Sequence, residues 1–300
     1  MFEGKGILNK IPSKYVLAML GVALGAMALS FTGLIMRHIE SADVWQILFF
    51  RSIGMIGTMS IFMAITQRGK FLKGISNVGW RGIIVACLIG PSFGFYILAL
   101  SMITVAEVSF VISTLPLFTA FFAFIFLHER VRGSTWGAII VVLCGVLIMF
   151  LDSTGQGASY LGIIVAFGVP ITFAATIVII RSGPDIDMIP ATWMAGFVAL
   201  IISIILAKGS VINIPSFDMF LSLLMGCTLG LGFGLYTIGA RYVAAAQVAL
   251  LALLEQAFNP LWAWIGAGEI PSTLVLIGGL IVFCAVTVRA IIGVWEERKV

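Results

Sequence analysis

The sequence predicts an all-α integral membrane protein with about ten transmembrane helices, arranged as two inverted five-helix repeats. Three observations lead to this prediction: the composition, a series of long apolar segments, and an internal repeat. The chain is 61% hydrophobic and only 10% charged over 300 residues. A water-soluble fold could not bury that much apolar surface, so the surrounding solvent must be lipid.

The apolar segments indicate helices rather than strands. They run for roughly 18 to 24 residues without the alternation that a membrane barrel requires. In hydrocarbon every backbone N–H and C=O needs an internal partner, and a helix supplies one. Polar residues, Pro and Gly between the segments predict helices at 14–36, 43–66, 79–101, 103–127, 134–151, 159–181, 189–207, 217–240, 243–267 and 272–292. Because the connections are short, we expect one membrane domain.

The distribution of Lys and Arg predicts the orientation of these helices. One set of alternate connections carries Lys5, Lys10, Lys14, Arg68, Lys70, Lys73, Arg81, Arg130, Arg132, Arg181, Arg241, Arg289, Arg298 and Lys299. The other set carries only Arg37 and Lys208. The positive-inside rule therefore puts both termini in the cytoplasm, which requires an even number of spans. The net charge of +4 is thus explained by topology, and we expect no nucleic-acid partner.

A repeat with a spacing of 140 residues relates the two halves of the chain. CLIGPSFGFY at 87–96 matches CTLGLGFGLY at 227–236 at Cys, Gly, Phe, Gly and Tyr. The same register pairs Ala106 with Ala246, Val108 with Val248, Glu129 with Glu269 and Cys144 with Cys284. We place the two units at 1–151 and 152–300. Each unit holds an odd number of predicted helices, so the second enters the membrane from the opposite side, as in carriers that alternate access around a midplane site.

The cysteines do not indicate a disulfide framework or a metal site. Cys87, Cys144, Cys227 and Cys284 all fall within apolar segments. A thiol in such a segment behaves as a small hydrophobic group. We therefore expect no metal and no cofactor.

Motifs along the whole chain are similar to a known family. The first half contains ALSMITVAEV at 99–108, a helix with Pro116, LHER at 127–130 and Gly137; the second contains VALLALLE at 248–255, Gly268-Glu269 and Gly278-Gly279. In this order and spacing they resemble the drug/metabolite transporter superfamily, EamA type. The resemblance implies secondary transport of metabolites through a cavity formed mainly by predicted helices 1–4 and 6–9, with helices 5 and 10 peripheral. The chain departs from the family pattern at Gln256, where a proline often follows the glutamate, and has Pro260 instead.

Two ionisable residues lie deep in predicted helices, where such groups are costly and need a partner. Arg51 lies about 12 Å into the second helix at roughly 1.5 Å per residue, and Glu255 lies near the middle of the ninth. We expect both to face the cavity, either as a mutual ion pair or as separate contacts for the carboxylate and amine of a zwitterionic solute. Arg51 could instead anchor helix-end carbonyls. A buried carboxylate is readily protonated, so Glu255 is also a candidate for proton coupling.

Two amides share the region of Glu255. Gln256 follows it directly, and Asn259 lies one turn further along the same face. We expect this face to hydrogen-bond the solute. The alternative for each amide is a hydrogen bond between helices.

Two polar residues at equivalent repeat positions are candidates for gating. Glu107 and Gln247 lie about one turn into the fourth and ninth predicted helices, and therefore near opposite membrane faces. They could form symmetric gates, or they could simply extend toward the membrane interface. We expect Glu129 and Glu269, which lie at helix ends, to be structural groups that accept from the first N–H groups of the next helix.

Tyr96 and Tyr236 are repeat-related and follow glycine-rich turns of helix. They could line the cavity beside a pair of hinges, and we include both among the substrate-binding candidates. The glycines could equally serve close helix packing alone. Trp262 and Trp264 are two residues apart, so both cannot face one cavity.

These features favour a carrier over other classes of membrane protein. The sequence contains no Walker A motif, which an ATP-driven pump would need. The two histidines, His38 and His128, lie near helix ends without the partner residues that an intramembrane enzyme needs. We expect a carrier in the cytoplasmic (inner) membrane that moves a small amphipathic metabolite, such as an amino acid, by alternating access in the efflux direction. An uptake carrier for a vitamin or nucleoside-like metabolite is the alternative, and a channel is a third. A homodimer is compatible with this interpretation.

Overall fold

A computed structural model describes residues 13–67, 78–128, 133–152, 160–182, 188–207, 209–239, 242 and 245–297. These residues form helices and no strand. The helices are α1 Ser13–Ser30, α2 Thr32–Arg37, α3 Val44–Gln67, α4 Gly79–Met102, α5 Val105–Ile112, α6 Leu115–Phe126, α7 Gly133–Asp152, α8 Tyr160–Arg181, α9 Met188–Leu206, α10 Ser216–Gly239, α11 Ala245–Ala267 and α12 Thr273–Glu297. The all-helical prediction is therefore confirmed.

Every predicted helical segment is occupied by helix, but two of them are broken. The first segment is interrupted at Phe31, between α1 and α2. The fourth is interrupted at Ser113 and Thr114, directly before Pro116 in the first turn of α6. Proline has no N–H to donate, so the break before it follows from the sequence. The last helix continues to Glu297, beyond the predicted end at 292.

The described helices include seven segments that are long and apolar enough to cross a membrane. They are Val16–Arg37, Val44–Ile65, Gly79–Met102, Val105–Phe126, Tyr160–Ile180, Ile189–Leu206 and Ser216–Gly239. Shorter apolar stretches lie at Trp136–Ile148 in α7 and Thr273–Val288 in α12. The chain is thus a multi-pass membrane protein.

The main packing contacts join the two halves of the chain. Helix α3 packs against α9 and α10, α4 against α8 and α9, and α1 against α10 and α11. Contacts between α3 and α4, or between α9 and α10, are much less extensive. The buried core therefore lies between the halves.

Helices α7 and α12 form a separate pair at the side of this core. They pack mainly against each other, around buried Val142, Val146, Val282 and Val286. This arrangement agrees with the peripheral position that the family resemblance implies for the fifth and tenth predicted helices.

A glycine brings α10 directly against α3. A Cβ atom at Gly226 would overlap the backbone carbonyl of Arg51 and would also lie 2.8 Å from the backbone nitrogen of Met55. Only a residue without a side chain permits this approach. Gly226 thereby fixes the backbone of α3 at Arg51, one of the predicted site residues.

Candidate functional site

The side chain of Arg51 is enclosed in the bundle without a full set of partners. It is 2% exposed, and its Nε and Nη1 atoms have no hydrogen-bond partner among the described residues. Its Cζ atom lies 5.4 Å from the ring centroid of Phe93 and 5.6 Å from that of Tyr96. The ring faces attract the cation, but they do not satisfy its N–H groups.

Glu255, on α11, lies within electrostatic range of this arginine. It interacts with Arg51, Tyr96 and Tyr236, and its neighbour Gln256 contacts its carboxylate. Among the described side chains, no ion pair joins Arg51 and Glu255. The mutual ion pair, one of the two expectations for these residues, is therefore not formed. Two opposite charges therefore interact in the bundle, and neither has a salt-bridge partner among the described residues.

Two more polar atoms near these charges are buried without partners. They are Oη of Tyr236 on α10 and Oε1 of Gln256 on α11. A buried polar atom without a hydrogen bond is costly, and a free binding site is one place where such atoms are tolerated. Together with Arg51, they provide both donors and acceptors.

Asn259 is fully engaged by the protein. Its Oδ1 accepts from the Gly33 N–H at 3.0 Å, and its Nδ2 donates to Tyr96 Oη at 3.1 Å and to Ser109 Oγ at 3.2 Å. It thereby ties α2, α4 and α5 to α11. The structure thus shows hydrogen bonding between helices, which was the alternative for this amide. A direct contact with solute stays a prediction.

The six substrate-binding candidates thus meet in one place, which we call the central cluster: Arg51, Tyr96, Tyr236, Glu255, Gln256 and Asn259. They come from α3, α4, α10 and α11, and so from both halves of the chain. Their contacts with one another are those described above. The central cluster lies in the core between the halves, where a carrier would need its binding site.

Aromatic rings extend the central cluster on one side. Phe93, which faces Arg51, makes an edge contact with Phe233 at 6.1 Å, and Phe233 stacks on Phe173 at 6.0 Å between centroids. The sequence analysis did not select these rings. The signal was present, because Phe93 and Phe233 are equivalent positions of the 140-residue repeat.

A second aromatic group lies along α11. Trp262 stacks on Phe31 at 5.2 Å and on Phe258 at 5.6 Å, and its Nε1 donates to Ser30 Oγ at 3.0 Å. Trp264 is 54% exposed on the outside. The expectation that the two tryptophans face different surroundings is met.

Glu107 is 2% exposed and forms a capping box at the start of α5. Its Oε2 accepts from the Thr104 N–H and Oγ1–H, both at 2.8 Å, and Thr104 Oγ1 accepts from the Glu107 N–H at 3.2 Å. The carboxylate does not extend to an interface, so that alternative is wrong; gating stays a prediction. The side chain of Gln247 lies outside the described residues, as does Glu129.

Arg37 and Glu269 join the halves at one end of the bundle. The Nε atom of Arg37 donates to Glu269 Oε2, and its Nη1 and Nη2 donate to the carbonyls of Leu100 at 2.6 Å and Ile103 at 2.8 Å. Glu269 Oε1 accepts from the Val105 N–H at 2.6 Å. We call these five residues the latch. Glu269 was expected to accept from the helix that follows it, but it accepts from α5 instead.

Gly268 determines where Glu269 points. It has a φ of +68°, and its N–H donates to the Trp264 carbonyl at 3.1 Å. This is the left-handed cap that glycine provides at the end of a helix. The turn ends α11 and directs Glu269 back over the bundle.

Other polar contacts between the halves lie at the same end. Asp218, at the start of α10, accepts from the Ser41 and Ala42 N–H groups at 2.9 and 3.0 Å. Gln46 donates to the carbonyls of Ser210 at 3.1 Å and Asn213 at 2.9 Å. This end of the bundle is closed by hydrogen bonds from four connecting segments.

A bundle of apolar helices with a buried polar cluster between two halves defines a helical membrane transporter. The EamA-like transporter family model matches the chain twice, over residues 16–151 and 160–290. The chain belongs to this family. The predicted class of a transporter, rather than an enzyme, is thereby confirmed.

Curated relatives and a solved structure agree with this assignment. The chain is 24% identical over 273 residues to the pseudopaline exporter CntI of Pseudomonas aeruginosa, in both strain UCBPP-PA14 and strain PAO1; the match covers 88% of this chain and 94% of the relative. A solved crystal structure matches with a TM-score of 0.62 at 18% identity, covering 91% of this chain and 97% of the other. That likeness concerns the fold alone.

Proposed function

We propose that the protein is a secondary carrier that exports a small amphipathic metabolite across the cytoplasmic membrane by alternating access. The observation that carries this proposal is the central cluster, with buried and unpartnered polar atoms of Arg51, Tyr236 and Gln256 between the two halves of the chain. A relative whose name describes it as an exporter supports the direction. The energy for export comes from the proton gradient.

The carrier has ten transmembrane helices in two inverted repeats, 1–151 and 152–300, with both termini in the cytoplasm. The two successive family matches support the duplication. The 140-residue register and the alternation of Lys and Arg support an inverted second copy. With this orientation the latch lies on the side of the membrane away from the cytoplasm.

Alternating access requires contacts that form in one state of the carrier and break in the other, and the latch provides such contacts at one end of the bundle. The latch joins α2 to the α4–α5 corner and to the α11–α12 connection. In the described arrangement it closes the outer end of the bundle above the central cluster. Opening requires these contacts to separate, while the opposite end closes.

Protons drive export through Glu255. Glu255 is partly buried on α11 and interacts with Arg51 without an ion pair among the described residues, so it is a carboxylate that can take up a proton in exchange for solute. Solute and proton compete for this carboxylate, so the carrier binds one or the other. It therefore moves them across the membrane in opposite directions. Coupling of this kind needs no residue beyond those in the central cluster.

Counterflow in proteoliposomes tests the carrier function. Purified full-length protein is reconstituted, the vesicles are preloaded with unlabelled L-amino acids, nucleosides or riboflavin, and uptake of the same labelled compound is followed. A carrier gives saturable uptake that the internal solute stimulates. Uptake that rises linearly with concentration and ignores internal solute would indicate a channel. In cells, slower loss of the solute on deletion supports export, and slower entry would indicate an importer.

A further inference from the structure

Arg51 has unused hydrogen-bond donors in the interior of the bundle. Its Nε carries one N–H and its Nη1 carries two, and in the part of the chain that the structure describes neither atom has a partner, although the side chain is only 2% exposed. A structural arginine at such a depth would be expected to spend these donors on carbonyls or carboxylates, as Arg37 does with Leu100, Ile103 and Glu269. Arg51 contacts two aromatic rings instead.

The groups around Arg51 select the kind of anion that would fit. Glu255 interacts electrostatically with Arg51, so its negative charge offsets the positive one and a dianion such as phosphate would be repelled. A carboxylate carries a single charge, and its planar oxygens match the guanidinium donors. The arginine is therefore suited to a monoanionic carboxylate.

The acceptors of the central cluster select a second group on the same solute. Glu255 is a carboxylate without a salt bridge among the described residues, and Gln256 Oε1 is a buried acceptor without a donor. An ammonium group has three N–H donors and a charge opposite to that of Glu255. A solute with both groups would pair each of the two protein charges and leave the net charge of the bundle unchanged.

We propose that Arg51 binds the carboxylate of an amphipathic amino acid or a related zwitterion, whose ammonium group is bound by Glu255 and Gln256. The proposal rests on the carrier function above and names the substrate class of the same site. Phe93, beside the guanidinium, and Phe233, in contact with it, provide apolar surface for the rest of the solute. A charged solute loses its hydrating water when it binds, and charge-assisted hydrogen bonds to the protein would take the place of that water.

Matched pairs of small molecules test the carboxylate contact on the unmodified protein. Binding to purified full-length protein is measured by thermal stabilisation and calorimetry for L-phenylalanine, L-tryptophan, L-leucine and L-methionine, each against its own amide. The amide keeps the ammonium group and the side chain but loses the negative charge. At least one amino acid should bind about ten-fold or more tightly than its amide. Equal binding of every pair, or stabilisation by none of the four acids, overturns the proposal.

Variants then assign the discrimination to Arg51. Arg51→Gln should bring the affinities of the acid and its amide together, and Arg51→Lys should keep part of the difference because it retains the charge. Arg81→Gln is the matched control, since Arg81 lies at the start of α4 and donates to the Ser182 carbonyl at 3.2 Å. Discrimination that survives in Arg51→Gln contradicts the proposal. If that variant does not fold, the comparison on the unmodified protein still decides.

The outcomes separate this proposal from the carrier function. If the protein shows saturable counterflow but treats acids and amides alike, it is a carrier and the carboxylate contact is wrong. If it discriminates acids from amides in binding but shows no counterflow, the contact stands and the carrier function is wrong.

Discussion

Asn259 accepts a hydrogen bond from the Gly33 N–H at 3.0 Å, at the point where the first transmembrane segment is broken between α1 and α2. The break at Phe31 interrupts the regular hydrogen bonding of the helix just before Gly33. Asn259 therefore replaces a backbone partner that the first segment lacks. Through its Nδ2 the same amide orients Tyr96 Oη in the central cluster.

Removal of the Asn259 amide should destabilise the bundle. In Asn259→Ala the buried Gly33 N–H loses its acceptor and Ser109 Oγ loses a donor, and one such loss typically costs about 1–3 kcal/mol. The measurement is the unfolding midpoint of the purified protein in detergent. Asn213→Ala is the matched control, because that side chain is exposed. Equal unfolding midpoints for the two variants would show that the Asn259 amide does not stabilise the folded bundle.

Gly226→Ala should disturb the site through the backbone. The added Cβ would overlap the carbonyl of Arg51, so α10 must move away from α3 at a cost of about 1–3 kcal/mol, as for other overpacked cores. Affinity for the transported solute should fall together with stability. Gly57→Ala, in the same helix as Arg51, meets nothing within 4 Å and should be neutral or slightly stabilising. Similar behaviour of the two variants contradicts the close approach.

Glu255→Gln should abolish proton coupling. The amide keeps the shape of the glutamate side chain but resembles its protonated form, and it cannot take up and release a proton at neutral pH. We expect everted vesicles of the unmodified protein to accumulate solute faster when their interior is acidic, and Glu255→Gln to lose this acceleration. Glu40→Gln is the control, since Glu40 is exposed outside the central cluster. Acceleration by a pH gradient that persists in Glu255→Gln rules out this carboxylate as the coupling group.

The sequence predicted the positions of the helical segments because their signal is local. A run of apolar residues ended by Pro, Gly or charge defines a membrane helix with little help from its surroundings. The break at Phe31 was missed because it depends on a partner from elsewhere in the chain, whereas the break before α6 could have been predicted from Pro116. At Phe31 that partner is Asn259, which lies more than 200 residues away in sequence.

The site could be predicted in part for the same reason. Arg51 and Glu255 were found because a charge inside an apolar segment is rare and conspicuous. The role of Asn259 could not be read from its residue type, since a solute contact and a bond between helices need the same amide. Glu269 was assigned to the wrong helix because the N–H that it accepts from belongs to Val105, which lies 164 residues away in sequence.

The latch makes a prediction about access to the central cluster. In Arg37→Gln the ionic contact to Glu269 and at least part of the bonding to the Leu100 and Ile103 carbonyls are lost. A loss of about 1–3 kcal/mol from the closed arrangement would raise the ratio of open to closed protein roughly 5- to 150-fold. A cysteine introduced as Tyr96→Cys, in a background without native cysteines, reports this change through its reaction with a membrane-impermeant thiol reagent.

Labelling of this cysteine from the side of the latch should accelerate in Arg37→Gln and stay slow with the native latch. Arg81→Gln is again the matched control, because Arg81 contacts Ser182, at the opposite end of α4 from Leu100 and Ile103. Reagent added from the other side tests specificity, since opening of one end should not increase access from both. If Arg37→Gln and Arg81→Gln label at the same rate, the latch does not hold the outer end closed. A selective increase would identify Arg37 and Glu269 as the contacts that must separate for release of the solute.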